Sequence, residues 1–391
     1  MSKNNMVPSI RFKEFTNAWE QERLGEIVDY FNGSSNEKEQ TNEGKFEIVN
    51  LNSISISGEL KPSGKFLHNA FETLKKGDIV MILSDIALGN LLGKSAVIPV
   101  DNRYVLNQRV ALLRKNNSKF NSKFISLFLN KNQSLLFRKG AGSSQLNLSK
   151  KEVINFLIFS TSRNEQDKVS LIFNNINSLI TLHQRKLNAL ENLKKTLLEK
   201  MFPNENSVFP SVRFKEFTNA WEQEKIENIC DRFDNYRIPI SEKNRIKGNT
   251  PYYGANGIQD YVKGYTHSGE NILIAEDGVN DVNNYSILYV NEKIWVNNHA
   301  HVIKASNKLN NNFFISLSLK RVDWSSLLVG GERFKLNAST LMNIFIKICN
   351  TNEQNKISII FNNINSLITL HQRKLNALEN LKKTLLEKMF V

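Results

Sequence analysis

The feature that most constrains this chain is a thirty-residue segment present twice, letter for letter: FNNINSLITLHQRKLNALENLKKTLLEKMF at 173–202 and again at 361–390. A shorter repeat, RFKEFTNAWEQE, stands ahead of each copy, at 11–22 and 213–224. The short repeats are offset by 202 residues (213 − 11) and the long ones by 188 (361 − 173). Self-similarity at this scale defines the architecture before any local reading. The chain is two similar halves whose intervening segments differ in length.

The long repeat reads as a helix. A heptad counted from Val169 places Ile172, Ile176, Leu179, His183, Lys186, Leu190, Leu193 and Leu197 on one seam, an apolar stripe with a polar interruption. The second copy repeats it with Ile360, Ile364, Leu367, His371, Lys374, Leu378, Leu381 and Leu385. Ser162 and Asn350 precede Glu165 and Glu353 by three residues, a capping-box spacing, and Pro203 closes the first helix. Thirty residues span about 45 Å as a helix. An amphipathic helix of that length needs a partner for its stripe, and the other copy is the nearest one. His183 and Lys186 are expected to set the register or to lie solvated at the crossing rather than to act chemically.

With 391 residues, 40% of them hydrophobic, the chain is long enough for two or three domains with cores of their own. A net charge of +14 points to a polyanionic partner, although richness in Lys, Asn and Ile makes bulk charge weak evidence. Clustering says more. From Asn102 to Lys151 there are eleven Lys or Arg and no Asp or Glu, which favours a surface facing phosphates. Cys230 and Cys349 are far apart and carry no metal spacing, so buried thiols in a reducing compartment are expected. Without a hydrophobic leader or an apolar run approaching eighteen residues, the expected location is the cytoplasm.

Between the repeats the pattern is mixed. Ile79–Leu83, Ala96–Pro99 and Arg109–Leu113 read as short buried strands, and Ser122–Phe137 as a helix with Phe124, Leu127, Phe128 and Leu135 on its apolar face. The second half echoes this. Gly77-Asp-Ile-Val has a counterpart in Gly269-Glu-Asn-Ile, Phe124-Ile-Ser-Leu recurs at 314–317, and Gly142–Ile158 aligns with Gly330–Ile346. The expected layout is a first variable domain over 1–160, a helix over 161–203, a second variable domain over 204–350 and a helix over 351–391. Identical scaffolding around divergent segments suggests that the divergent segments do the reading.

No catalytic constellation emerges. The seven prolines are never adjacent, which removes the amino-methyltransferase Asn/Asp-Pro-Pro-aromatic run. Gly89-Asn-Leu-Leu-Gly93-Lys94-Ser95 is one residue short of a phosphate-binding loop and reads as a turn. His299-Ala-His301 puts two rings on one strand face without further metal ligands, so structure or DNA contact is expected rather than zinc. Asp85 and Asp277 follow apolar strands without a catalytic mate.

RFKEFTNAWEQERLGEI with the strand after Lys-Gly-Asp-Ile, PYYGANGIQDYV at 251–262, and His-Gln-Arg-Lys-Leu-Asn-Ala-Leu at 183–190 and 371–378 together resemble the DNA-specificity subunit of type I restriction–modification systems. The resemblance runs through the whole chain in the order variable, conserved, variable, conserved. It implies an α+β protein: two similar mixed α/β target-recognition domains joined by two long helices that pair as an antiparallel coiled coil. It implies a non-catalytic subunit that recognises a bipartite double-stranded DNA target, the paired helices measuring the spacer. Two methyltransferase subunits and, through the complex, restriction–translocation subunits are the implied partners. S-adenosylmethionine, ATP and Mg would sit on those partners, with no cofactor on this chain. A basic coiled-coil adaptor for protein or RNA, and the recognition subunit of a fused methyltransferase–nuclease system, remain alternatives.

Residue types select candidate DNA contacts. Phosphates call for Lys94, Arg114, Lys119, Arg138 and Lys139. Base edges call for forked groups, which in the first segment are Asn107, Gln108, Arg109 and Gln145 with the loop from Ser84 to Leu92. In the second segment they are Tyr252, Tyr253, Asn256, Asn298, His299 and Arg333. Arg109 heads an apolar strand and serves equally well as a structural ion-pair partner.

Overall fold

The computed structural model describes all residues except 1–5, 37, 86–90, 144, 279–280, 282–283 and 329–334. Arg333, Gly89, Gly330 and most of the 84–92 loop therefore lie outside the described residues. The chain divides into two units, Met1–His183 with Lys374–Val391, and Gln184–Arg373. Each unit contains one half of each long helix.

In the first unit a four-stranded antiparallel sheet runs in the order Val28–Asn32, Val110–Lys115, Ile79–Ile82, Ser95–Val97. Ile79–Ile82 is buried at every position, because both faces of the sheet are covered. Its alternate residues feed separate cores. Ile79 and Met81 join Ala111, Leu113 and the helix Ser122–Lys131 on one face, while Val80 and Ile82 join Val110 and Leu112 on the other. A smaller sheet sets Phe46–Val49 antiparallel to Phe66–Leu67 and parallel to Tyr104–Leu106. The expected helix over 122–137 is interrupted at Asn132, and Leu135, read as core, is 46% exposed.

The second unit repeats the plan with Cys230–Arg232, Ala300–Ala305, Glu270–Ala275 and Ile287–Asn291 as its main sheet. Lys247–Gly254, antiparallel to Gly257–Val262 and parallel to Trp295–Val296, forms the smaller one. Each unit also pairs the strand after its short repeat with the strand before its long helix: Glu20–Arg23 with Leu157–Ser160, and Glu222–Lys225 with Phe345–Ile348.

The long helices are Arg163–Lys200 and Thr351–Lys388. The backbone amides of Glu165 and Glu353 donate to the side chains of Ser162 and Asn350, as the capping spacing requires. Buried Gln166 accepts from the Asn121 amide at 2.8 Å and Gln354 from the Asn311 amide at 2.8 Å, locking each helix start to the neighbouring short helix. The two arginines of the short repeats, Arg11 and Arg213, grip the buried Glu165 and Glu353 through paired hydrogen bonds of 2.7 and 2.8 Å, and 2.8 and 2.8 Å.

Within each unit the two half-helices run antiparallel. In the first unit Val169 and Phe173 share a core with Leu385, Leu386, Met389 and Phe390. In the second, Leu197, Leu198, Met201 and Phe202 share one with Ile357, Ile360 and Phe361. The seam differs from the expected one at four of its twelve apolar positions. Ile176 and Ile364 are buried, Leu190 and Leu378 are half-buried, and Ile172, Ile360, Leu197 and Leu385 pack against their cores. Leu179, Leu193, Leu367 and Leu381, assigned to the seam, are 43–46% exposed. The second row of the true seam lies one residue further on, at Phe173, Ile180, Leu187, Lys194 and Met201, with Leu187 and Leu375 only 6% and 5% exposed. Both rows satisfy a 3–4 spacing, so the sequence period alone does not choose between them; the larger Phe173 and Phe361 rings, fully buried, settle the choice.

Candidate nucleic-acid interface

Each unit brings the same three strand ends together at one tip. In the first unit the Leu83 amide donates to the Arg109 carbonyl at 2.9 Å, and the Leu148 amide to the Leu83 carbonyl at 2.8 Å. In the second, the Glu276 amide donates to the His299 carbonyl at 2.9 Å and the Leu336 amide to the Glu276 carbonyl at 2.7 Å. Gln108-Arg109 and Asn298-His299 are therefore structural equivalents, as are Ser84 and Asp277, and Asn147 and Lys335. This correspondence is weak in the sequence, because only Leu148/Leu336 and Asn107/Asn297 match among these residues.

At the first tip Arg109 is exposed and holds a left-handed backbone, φ +69°. For a residue with a Cβ that conformation costs about 1–2 kcal/mol, a strain characteristic of functional positions. Its guanidinium makes no ion pair among the described residues. Gln108 is half-buried beside it, and its backbone N–H donates to the Ser34 carbonyl at 2.8 Å. Asn107 accepts from the Asn36 amide at 3.2 Å, so it shapes the turn rather than projecting from it. Its equivalent, Asn297, accepts from the His299 amide at 2.8 Å in the same role. Ser84 is 1% exposed and donates to Asn147 at 2.6 Å, while Gln145 donates to the Ser84 hydroxyl. Ser84 supports the tip from within; Gln145 and Asn147 lie nearer the surface.

The second tip is charged differently. His299 Nδ1 lies 2.5 Å from Asp277 Oδ1, Asn298 is exposed, and Asn256 donates to the Gly278 carbonyl at 2.9 Å. Beneath it, His301 is 2% exposed between Asp234 Oδ2 at 2.7 Å and the Leu336 carbonyl at 3.0 Å. Arg237 donates to Glu276 at 2.7 Å, and Lys335 lies 3.7 Å from the same carboxylate. Burial alone would raise the Asp234 carboxyl, but hydrogen bonds from His301 and the Val302 amide, with the neighbouring Arg237 charge, hold it below the ordinary carboxylate range. The first unit has Asn32, Leu83 and Ala111 at the places of Asp234, Glu276 and His301, so this network belongs to the second unit alone.

Several candidates occupy other positions. Arg114 forms a two-pronged pair with Asp78 at 2.8 and 2.7 Å, which raises the guanidinium above its usual range. Lys119 lies 3.5 and 3.3 Å from Glu20 and Glu22, and Lys139 is 2.8 Å from Glu152. Lys94 donates to the Asn130 carbonyl at 3.4 Å; burial, and next the Lys382 ammonium, lower its pKa. Tyr252 and Tyr253 are core residues, 1% and 6% exposed, and the Tyr252 hydroxyl accepts from the Ile240 amide at 3.0 Å. Five of the eleven cations between 102 and 151, Arg103, Arg114, Lys119, Lys123 and Lys139, are thus paired with acids of the first unit. Arg109, Arg138, Lys150 and Lys151 are the exposed cations of this tract without an ion pair among the described residues, Lys150 lying over the Tyr30 ring.

No group of three or more His, Cys, Asp or Glu among the described residues is arranged to hold a metal. No described helix is long and apolar enough to cross a membrane. Cys230 and Cys349 are both buried, and burial pushes their thiols up, Cys230 to about 12.

Comparison with known proteins agrees with this duplicated plan. Over 146 residues the chain is 42% identical to a putative type I restriction enzyme specificity subunit of Haemophilus influenzae, covering 37% of this chain and 38% of that relative. It is 20% identical to the MjaVIII type I restriction enzyme specificity subunit of Methanocaldococcus jannaschii over 94% of this chain and 91% of that one. The type I restriction–modification S subunit from M. genitalium has the same fold, with a TM-score of 0.74 at 18% identity over 99% of both chains. The family model for the type I restriction modification DNA specificity domain matches twice, over residues 17–192 and 218–380, once in each half. Two matched copies spanning most of the chain place it in the type I restriction–modification specificity-subunit family.

Proposed function

We propose that the two tips read the two halves of a split DNA target, Gln108 and Arg109 at one and Asn298 and His299 at the other. The observation that carries this reading is the pairing of one framework with different polar groups at equivalent places. Arginine favours guanine, and amide side chains favour adenine. Arg138 and Lys151 supply phosphate contacts on the first unit.

The chain itself is a non-catalytic reader; methylation and cleavage, with S-adenosylmethionine, ATP and Mg, belong to partner subunits. Exposed leucines on the outer faces of the long helices support two equivalent docking places. The first unit presents Leu171, Leu179, Leu182 and Leu381, and the second presents Ile359, Leu367, Leu370 and Leu193, all 43–59% exposed. Repeated apolar rows of this kind suit amphipathic helices of two copies of one partner.

A genome-wide map of methylated adenines, with and without the gene, tests the reading. Loss of one split motif is the expected result. Replacing residues 234–350 by a relative's segment is expected to change one half-site and spare the other. A change in both half-sites would overturn the modular assignment.

A further inference from the structure

The matched strand ends of the two tips differ sharply at one pair of facing places. In the first unit Ser84 and Asn147 are partners in a short antiparallel pairing. The Ser84 hydroxyl donates to Asn147 Oδ1 at 2.6 Å, and Asn147 Nδ2 donates to the Gln145 carbonyl at 3.1 Å. Both ends of the Asn147 amide therefore hold the turn together. In the second unit the equivalent antiparallel bridge pairs Asp277 with Lys335. A hydroxyl and an amide in one unit become a carboxylate and an ammonium in the other.

Lys335 is held far more loosely than Asn147. Its side chain is 54% exposed, and it meets Glu276 at 3.7 Å. Glu276 already accepts from Arg237 at 2.7 Å, so its charge is balanced without Lys335. An exposed pair at such a distance is worth about 0–1 kcal/mol, and the ammonium keeps N–H donors for another acceptor. The surroundings select that acceptor. Histidines aside, the carboxylates of Asp234, Glu276 and Asp277 face the cations of Arg232, Arg237 and Lys335 at this tip. Balanced charge leaves no surplus positive potential to draw a phosphate. A neutral base edge asks only for a donor in the right place. The acceptor pair that lysine and arginine meet most often in the major groove is guanine O6 and N7.

We propose that Lys335 reads a guanine in the second half-site, its ammonium donating to O6 and N7 in the major groove. The proposal rests on the reading of the tips given above and goes beyond it by adding a residue and naming its base. Glu276 links the two strand ends concerned, its amide donating to the His299 carbonyl and its carbonyl accepting from the amide of Leu336, next to Lys335. Lys335 thus stands one strand away from the Asn298-His299 pair, on the same tip. The first unit has no cation at this place, and Asn147 there serves the turn instead of the base.

The test selects randomised duplexes on the full chain and on two variants of it, Lys335→Arg and Lys335→Gln. Lys335 is exposed, so neither variant disturbs a core. The native chain is expected to select a split motif with a guanine in the half that exchange of 234–350 changes. K335R keeps forked donors and is expected to keep that guanine. K335Q carries an amide, which suits adenine, and is expected to lower the preference for guanine at that one position by about tenfold to a hundredfold, the other positions staying as they are. An even loss over all sequences with a shallower salt dependence would make Lys335 a phosphate contact and overturn the proposal. A motif unchanged in K335Q would overturn it as well. The native chain separates the two levels of failure. Selection of no split motif removes the reading of the tips and the Lys335 assignment together, whereas a split motif without guanine in that half removes the Lys335 assignment alone.

Discussion

Phe390 stands next to the last residue of the sequence, yet it belongs to the core of the first unit. It is 3% exposed, and its ring lies 6.0 Å from Trp19, 5.2 Å from Phe124, 6.3 Å from Phe128 and 6.1 Å from Phe173. A buried phenylalanine removes about 150–250 Å² from water. At about 25 cal/mol per Å² that amounts to roughly 4–6 kcal/mol, an upper bound because the unfolded chain already hides part of it. Phe390→Ala is therefore expected to destabilise the first unit by about 3–5 kcal/mol. Hydrogen exchange measured by mass spectrometry isolates the effect. The slowest amides of Val110–Lys115, at the centre of the first sheet, should exchange roughly a hundred- to several-thousand-fold faster, at tenfold per 1.4 kcal/mol. Those of Ala300–Ala305 should be unaffected, since the second unit takes Phe202 in the equivalent place. Phe202→Ala should reverse the pattern. Unchanged exchange in Val110–Lys115, or equal acceleration in both strands, would refute the assignment of residue 390 to the first core.

Leu187→Ala should cost about 2–4 kcal/mol and Leu179→Ala under about 1 kcal/mol, because the first is 6% exposed and the second 43%; equal shifts in urea unfolding would return the seam to its other register. Asp234, held below the ordinary carboxylate range in the fold, contributes stability that is present above its unfolded pKa and lost as pH falls through its lowered folded value. Urea midpoints of the second unit should therefore fall steeply below about pH 4, and Asp234→Asn should lower stability near neutrality while flattening that acid limb; an unchanged limb would exclude Asp234 as its source. Arg109→Gly should leave the melting temperature unchanged or raised, since glycine tolerates φ +69°. The same variant should lose about 1–3 kcal/mol of binding at one half-site only, measured on duplexes with each half-site altered in turn; a loss spread over both would remove Arg109 from base reading.

The tips show why residue type is a poor guide to a DNA contact. Arg114 and Arg109 looked alike along the chain, but Asp78, thirty-six residues before Arg114, neutralises one and nothing described pairs the other. Lys119 and Lys139 likewise meet Glu20, Glu22 and Glu152. Tyr252 and Tyr253 read as base-contact candidates, yet they lie in the buried second half of the strand Lys247–Gly254. Lys335 carried no signal of its own and became visible only when the strand ends of the two units were matched.

The sequence alone determined the duplication, the two capped helices with their shared apolar stripe, the mixed character of the segments between them and the family to which the chain belongs. These are properties of composition, period and order, and they survive without knowledge of any contact. Tertiary structure decided which of two rows at 3–4 spacing faces inward, because only the packed rings of Phe173 and Phe361 distinguish them. It decided which cations remain unpaired, because the neutralising acids come from distant parts of the chain. It also decided that residues 389 and 390 complete the core begun by Trp19. Burial and charge pairing depend on separation in space, and a linear pattern carries separation only along the chain.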